Sequence, residues 1–393
     1  MKTWTCLLLF LLTGCASVRY EAPRIEGLFQ DTAFAAPSEP VGAGDLFTLS
    51  PEMQAYLRSA AFATHLRKKG SENGLVDALY SKGDLMLEYE SSITRTAAQT
   101  YAARSGNCLS LVIMTAAFAK ELGMKVRYNH VFVEENWTRN GALYLVSSHV
   151  NLSLGQRSDD LLRGSNLTRT LTIDFLPPDE ASKFHSRELE ETDIIAMYMN
   201  NRAAEALVQN RVDDAYWWAR AALTQQPALG QAYNTLGVIY QRKGELVQAE
   251  RVFLAVLARE PENVVVMQNL VPVLNRLGKQ QEAAAMTARI AQIEPNPPFK
   301  FFNEGMLALE HGEFAAAKAL FTREVKRAPY NDEFHFWLAV ACLRLGDAKQ
   351  AREQLALAYD TSTRRDNKEV YSAKLAYLRS LHSQYGNGQT AFH

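Results

Sequence analysis

The chain has 393 residues, 47% of them hydrophobic, with 42 Lys and Arg against 43 Asp and Glu for a formal net charge of −1. That length and apolar content allow more than one packed core, while the balanced charge, without a basic arm, argues against nucleic-acid binding. Four cysteines are too few for a disulfide framework.

The first residues read as an export signal. Met1-Lys2 opens a short basic region and Trp4 to Leu12 is apolar, a run too short to span a bilayer. Leu12-Thr13-Gly14-Cys15 resembles the lipobox of bacterial lipoprotein signal peptides. The resemblance implies removal of residues 1–14 and lipidation of Cys15. With Ala16 rather than Asp next, it also implies passage to the outer membrane, on the periplasmic face, with lipid as the anchor. Residues 15–45 contain Pro23, Pro37, Pro40, Gly27, Gly42 and Gly44 without periodicity, the composition of a flexible tether. Ser50-Pro51, a cap followed by proline, then starts the helices of a first domain over residues 46–190.

Within that domain Ser105-Gly106-Asn107-Cys108 leads into a helix with the apolar stripe Leu109, Val112, Ile113, Ala116, Ala117 and Ala119, ended by Gly123. A sulfur at a helix N-terminus faces unpaired N–H groups and the positive end of the helix dipole, which favour thiolate over thiol. Three strands follow, Lys125 to Glu135, Ala142 to Leu154 and Arg169 to Leu176. His149 falls in the second and Asp174 in the third, so an antiparallel meander can set imidazole and carboxylate side by side at the helix end. In that geometry Cys108 is the nucleophile, His149 takes its proton, and Asp174 fixes the tautomer. His130, in the first strand, and His185, in a polar stretch, compete for the role of base, and Asn151 competes for that of orienter. The Cys108 backbone N–H supplies one oxyanion donor and Gln99 is a candidate for the second. The competing reading of Cys108 is a small buried apolar residue.

These residues resemble the transglutaminase-like domains of the papain-like cysteine peptidase superfamily. The matching stretches are SGNCLSLVIMTAAFAKELGMKVRY, SSHVNLSL and LTIDFLPP, in that order. The resemblance implies an α+β fold, the three roles on Cys108, His149 and Asp174, and acyl chemistry on an amide, as a cysteine peptidase, amidase or acyl transferase. It leaves the substrate open, and the family includes inactive copies. No cofactor and no metal is expected. With Cys6 in the signal and Cys15 lipidated, Cys108 and Cys342 remain in separate domains, and catalysis accounts for an unpaired Cys108 in an oxidising compartment.

The second half is a repeat. Pro227, Pro261, Pro295 and Pro329 are 34 residues apart, as are Gly244, Gly278, Gly312 and Gly346, and as are Ala215, Ala249, Ala283, Ala317 and Ala351. A period of 34 built from two helices is that of tetratricopeptide repeats. Five units fit over residues 191–363, followed by a capping helix and tail over 364–393, and Pro272 should kink the helix that contains it. The concave groove of such a stack is predicted to present Asn234, Arg242, Gln268, Asn275 and Arg276 to an extended peptide. Its other half, with Phe302, Met306, Phe336 and Leu343, is apolar and open to cover by the last helix.

The sequence therefore predicts an α+β transglutaminase-like (papain-like) domain followed by an all-α tetratricopeptide-repeat superhelix. The function it predicts is that of an outer-membrane-anchored periplasmic lipoprotein acting on amide bonds, with the repeats as a scaffold for a protein or peptide partner. The alternative is a non-catalytic adaptor that binds proteins or peptides through both domains.

Overall fold

The computed structural model describes residues 27–80, 85, 87–140, 143–155, 170–175 and 186–386. The signal segment with Cys6 and Cys15, and also His185, lie outside the described residues. Three helices open the first domain, α1 (Pro51–Leu57), α2 (Ala60–Lys69) and α3 (Ser71–Tyr80). The hydroxyls of Ser50 and Ser59 cap the first two by accepting from the N–H groups of Met53 and Phe62. A short strand β1 (Glu88–Tyr89) runs parallel to β2 (Ser105–Gly106), with α4 (Ala97–Ala103) between them in the chain. Directly after β2 comes α5 (Cys108–Glu121), apolar all round and buried from Leu109 to Ala119.

An antiparallel sheet in the order β5-β4-β3-β6 covers α5, built from β3 (Lys125–Asn140), β4 (Leu143–Gly155), β5 (Thr170–Ile173) and β6 (Ser186–Leu189). Tyr128, Val150, Leu152, Leu154 and Ile173 from the sheet share one apolar core with α5. Strand β6 is short and polar, Ser-Arg-Glu-Leu, and carries no alternation from which a sequence reading could find it.

Five antiparallel helix pairs follow. They are α6 (Glu191–Val208) with α7 (Val212–Gln225), α8 (Gly230–Lys243) with α9 (Leu246–Leu257), and α10 (Val264–Arg276) with α11 (Gln280–Ile293). Next come α12 (Lys300–Glu310) with α13 (Phe314–Arg327) and α14 (Asp332–Arg344) with α15 (Ala348–Thr361). The long helix α16 (Arg365–Gly386) packs on the last pair. The period has a steric cause: a Cβ on Gly237 would lie 2.4 Å from the Phe253 ring and one on Gly305 2.7 Å from the Phe321 ring, so glycine is what lets the paired helices approach. Gly244, Gly278, Gly312 and Gly346 end the first helices of pairs two to five in left-handed backbone. In the first pair Asn210, at φ 60°, takes the same place. Helix α10 runs on through Pro272 as one element from Val264 to Arg276.

The core does not stop at residue 190. One apolar cluster runs from Leu28 and Phe34 through α5 and the sheet to Ala283 in the third repeat. Residues 27–45, part of the segment 15–45 that composition assigns to a tether, are packed against α6, α7 and α8. Phe34 stacks on Tyr216 at 3.8 Å, Ser38 donates to Asp214 through both its N–H and its hydroxyl, and Glu39 accepts from Arg202 and Trp218. The Tyr240 hydroxyl donates to the Leu28 carbonyl at 2.6 Å. Isolated apolar anchors and side-chain hydrogen bonds hold this strap, and neither produces a periodic signal.

Candidate functional site

Cys108 is the first residue of α5, and the residues before it fix its position. Asn107 caps the helix, its side-chain oxygen accepting from the Ser110 N–H at 2.9 Å and from the Ser110 hydroxyl at 2.8 Å. A Cβ on Gly106 would lie 2.7 Å from the Cβ of Ser110, so the strand-to-helix turn closes only with glycine there. The Asn107 amide donates to the Thr94 hydroxyl at 2.8 Å, and Asn201 of α6 donates to that same oxygen at 3.2 Å. The Thr94 N–H donates to Glu205, also on α6, at 2.6 Å. The start of the cysteine helix is thus tied to the first repeat through one hydroxyl.

The sheet brings the other two residues together. Leu152 pairs with Ile173, which sets the next residue, Asp174, abreast of Asn151 and within reach of His149 two positions along β4. His149 Nε2 lies 2.6 Å from an Asp174 oxygen, and the second oxygen accepts from the Asn151 amide at 2.8 Å. Asn151 in turn accepts from Asn129 on β3 at 2.9 Å. Asn151 therefore does not replace Asp174 as orienter; it holds the carboxylate in place. Burial opposes charge on His149, but hydrogen bonds to Asp174 and to Cys108, and the charges of both, outweigh it and raise its pKa to about 9. With Nε2 engaged by Asp174, Nδ1 is the nitrogen left for the thiol.

His130 behaves differently. It pairs with Val150 in the sheet register, and burial together with the charges of Arg187 and His149 lowers its pKa below the usual histidine value. Cys342 sits fully buried among Leu338, Phe334 and Ala351, where burial pushes its thiol pKa up. It is a core residue.

Gln99, the candidate second oxyanion donor, lines a different pocket, with Thr96, Tyr198 and Trp218, and not the cleft that holds Cys108. It forms a capping box with Thr96, accepting from the Thr96 N–H at 3.1 Å while its own N–H donates to the Thr96 hydroxyl. The group beside Cys108 is Tyr89, which β1 sets abreast of Gly106. Tyr89 as a whole is 39% exposed, while its hydroxyl interacts with both the backbone N–H and the thiol of Cys108; burial of the hydroxyl and the charge of Cys108 raise the phenol pKa. Residues 88 and 89 form a two-residue strand, too short for periodicity to mark.

Cys108, Tyr89 and His130 open onto a cleft of about 2390 Å³ whose opposite wall is the concave side of the repeats. Of the five groove residues expected there, Asn234 lines this cleft; Arg242, Gln268, Asn275 and Arg276 do not. Arg276 instead donates to the Gln241 carbonyl at 3.2 Å, joining adjacent repeats. Phe336 and Trp337 line the cleft, Phe336 stacked on Tyr371 of the last helix at 5.4 Å, whereas Phe302 is core. Among the described residues no cluster of side chains suits a metal ion.

Comparison with known proteins identifies the repeats. The tetratricopeptide-repeat family profile matches residues 302–368. TPR repeat-containing protein PA4667 of Pseudomonas aeruginosa is 25% identical over 153 residues, 38% of this chain and 26% of that protein, so the chain spans about a quarter of its length. Among solved structures, TTC0263, a thermophilic TPR protein of Thermus thermophilus, is 18% identical over 46% of this chain and 99% of its own, with a TM-score of 0.33. The pilF protein of Pseudomonas aeruginosa is 19% identical over 51% of this chain and all of its own, with a TM-score of 0.30. The chain carries tetratricopeptide repeats.

Proposed function

We propose that this repeat scaffold serves a transglutaminase-like cysteine site in the first domain, which cleaves or transfers the acyl group of an amide in a protein or peptide. One observation carries the reading: His149 bonded to Asp174 at 2.6 Å through Nε2, with its other nitrogen left for a thiol at a helix start. Nδ1 of His149 already holds the Cys108 proton in a thiolate–imidazolium pair, the sulfur attacks an amide carbonyl carbon as thiolate, and the oxyanion accepts from the Cys108 N–H. The imidazolium then protonates the departing amine as the C–N bond breaks, leaving a thioester. Water completes hydrolysis; an amine in place of water gives a new amide. Asp174 keeps the imidazole oriented throughout and stabilises its charge.

The second reading is a non-catalytic adaptor. The comparisons favour it, because they match the repeats, and so does the Tyr89 hydroxyl, which occupies the N–H that an oxyanion needs. Alkylation separates the two. Under the catalytic reading iodoacetamide labels Cys108 of the folded protein faster than a free thiol at neutral pH, with a rate plateau extending to low pH, while buried Cys342 remains unlabelled. A rate no greater than that of a free thiol, without the plateau, leaves the adaptor. In the same proposal Cys15 bears the lipid and the protein sits on the periplasmic face of the outer membrane; the lipobox resemblance supports this.

A further inference from the structure

The repeats leave the first domain at α6 and return to it at the turn before α16, where the Ser91 N–H donates to the Thr363 carbonyl at 3.1 Å and the Arg365 N–H to Glu90 at 3.3 Å. The cleft between these two junctions therefore has the Cys108 site on one wall and helix starts from several repeats on the other. Its chemistry is one-sided. Among its described lining residues ten are Asp or Glu and four are Arg; Asp366 is paired with Arg364 at 2.7 Å and Glu205 with Arg202 at 3.1 Å, so the carboxylates still outnumber the arginines after those pairs are set aside. Glu260, Glu262 and Glu369 are exposed along it.

A second feature points the same way. Asn200 on α6 is 8% exposed, lines the cleft, and its side-chain oxygen has no hydrogen-bond partner among the described residues. The repeat explains why. One unit later, the oxygen of Asn234 accepts from Asn269 at 3.0 Å. The residue 34 before Asn269 is Thr235, whose hydroxyl donates back to the Gln231 carbonyl of its own helix at 3.1 Å. The first repeat thus keeps the acceptor and lacks the donor, and a buried acceptor held in this way calls for an N–H from a ligand.

An unmatched acceptor and an excess of carboxylates both require donors. An extended polypeptide rich in lysine or arginine supplies main-chain N–H groups for the first and cationic side chains for the second, and Trp337 adds an aromatic face for a cation. An acidic polypeptide has the same main-chain N–H groups but no cation for the carboxylates. We propose that the cleft binds a cationic, extended polypeptide segment, with Asn200 taking a main-chain N–H and Glu260, Glu262 and Glu369 facing its basic side chains. This names the substrate class of the cysteine site and rests on that reading for its consequence, though not for its test.

The test uses the full chain with Cys108→Ser and fluorescence anisotropy of a labelled, unstructured peptide alternating lysine and serine, beside its glutamate counterpart. The lysine peptide should bind, and binding should weaken as salt is raised. The triple change Glu260→Gln, Glu262→Gln and Glu369→Gln should weaken it roughly tenfold, from three exposed charge contacts of ordinary strength. Asn200→Ala should weaken it without altering the salt dependence. In the wild type, bound peptide should protect Cys108 from iodoacetamide. Equal binding of the glutamate peptide, or an unchanged affinity in a folded triple variant, overturns the proposal. A binding cleft beside an inert Cys108 would sink the catalytic reading alone; a reactive Cys108 with no lysine-peptide binding would sink this one alone.

Discussion

Removing the carboxylate of Asp174 should lower the pKa of His149, and the structure gives both the sign and the scale. Burial pulls the imidazole pKa down, while the Asp174 and Cys108 contacts lift it from 6.5 to about 9. That rise is equivalent to about 3 kcal/mol in favour of the imidazolium. Asp174→Asn leaves burial and Cys108 in place and removes the largest favourable contact, so the midpoint should fall well below 9, toward or beneath 6.5. The direct assay is an NMR titration of protein with carbon-13-labelled histidine, with the His149 signal assigned by its loss in His149→Gln. His130, whose pKa is lowered, titrates on the acid side in the same spectra and serves as the contrast. Stability follows the same linkage. Because the folded pKa is raised, the contribution is fully present below the unfolded value of 6.5 and is lost as pH rises through about 9. Urea midpoints should therefore fall across that window in the wild type and change less in Asp174→Asn. A wild-type midpoint at or below 6.5, or one that Asp174→Asn leaves in place, would refute the assignment of the pair.

Gly106→Ala should destabilise the fold by about 1–3 kcal/mol, since its Cβ would fall 2.7 Å from that of Ser110. It should also slow Cys108 alkylation; a variant equal to wild type in both would show that the turn has room to spare. Phe34→Ala should cost about 3 kcal/mol, because the ring is 7% exposed and stacked on Tyr216, and it should open residues 27–45 to protease. An unchanged denaturation midpoint would mean that the strap adds nothing to the core. Cys15→Ser should move the protein from the membrane fraction to the soluble one without changing its thermal unfolding; retention on the membrane would point to a protein partner as the anchor.

What could be read from the sequence was what repeats or what closes locally. Gly237 against Phe253 and Gly305 against Phe321 impose the same sterics 68 positions apart, so the spacing itself carries the fold. Gly106, Asn107 and Ser110 fall within five residues and announce the helix start. What could not be read depends on register and curvature. His130 and His149 both look like strand histidines, and only the pairing of β4 with β5 separates them by setting Asp174 beside one. Gln99 is a free amide in the sequence and a capping partner in the fold. A regular stack predicts five polar groove residues, yet Asn234 alone of them lines the cleft and Arg276 donates to the Gln241 carbonyl of the preceding repeat. Residues 27–45 do not behave as the tether their composition implies, because proline and glycine content describes the freedom of an isolated segment and says nothing of Phe34 finding Tyr216.

Thr94 explains why the cysteine site and the repeats belong to one folding unit. Its hydroxyl oxygen accepts from Asn107, which caps the cysteine helix, and from Asn201 of α6. Its N–H donates to Glu205, and burial raises the pKa of that carboxyl against the pull of Thr94 and Arg202. A hydroxyl has two acceptor lone pairs, and here one points to each domain. Shifting α6 would therefore disturb the amide that holds Asn107, and with it the N-terminal turn on which Cys108 sits. The periodic sequence departs from itself at the same place: the positions equivalent to Asn201 are Thr235, whose hydroxyl donates to the Gln231 carbonyl of its own helix, and Asn269, which donates to Asn234 of the preceding repeat. Asn201, in the first of the five pairs, donates instead to the Thr94 oxygen that holds the cap of the nucleophile's helix, so a ligand drawn along α6 meets the element that positions Cys108.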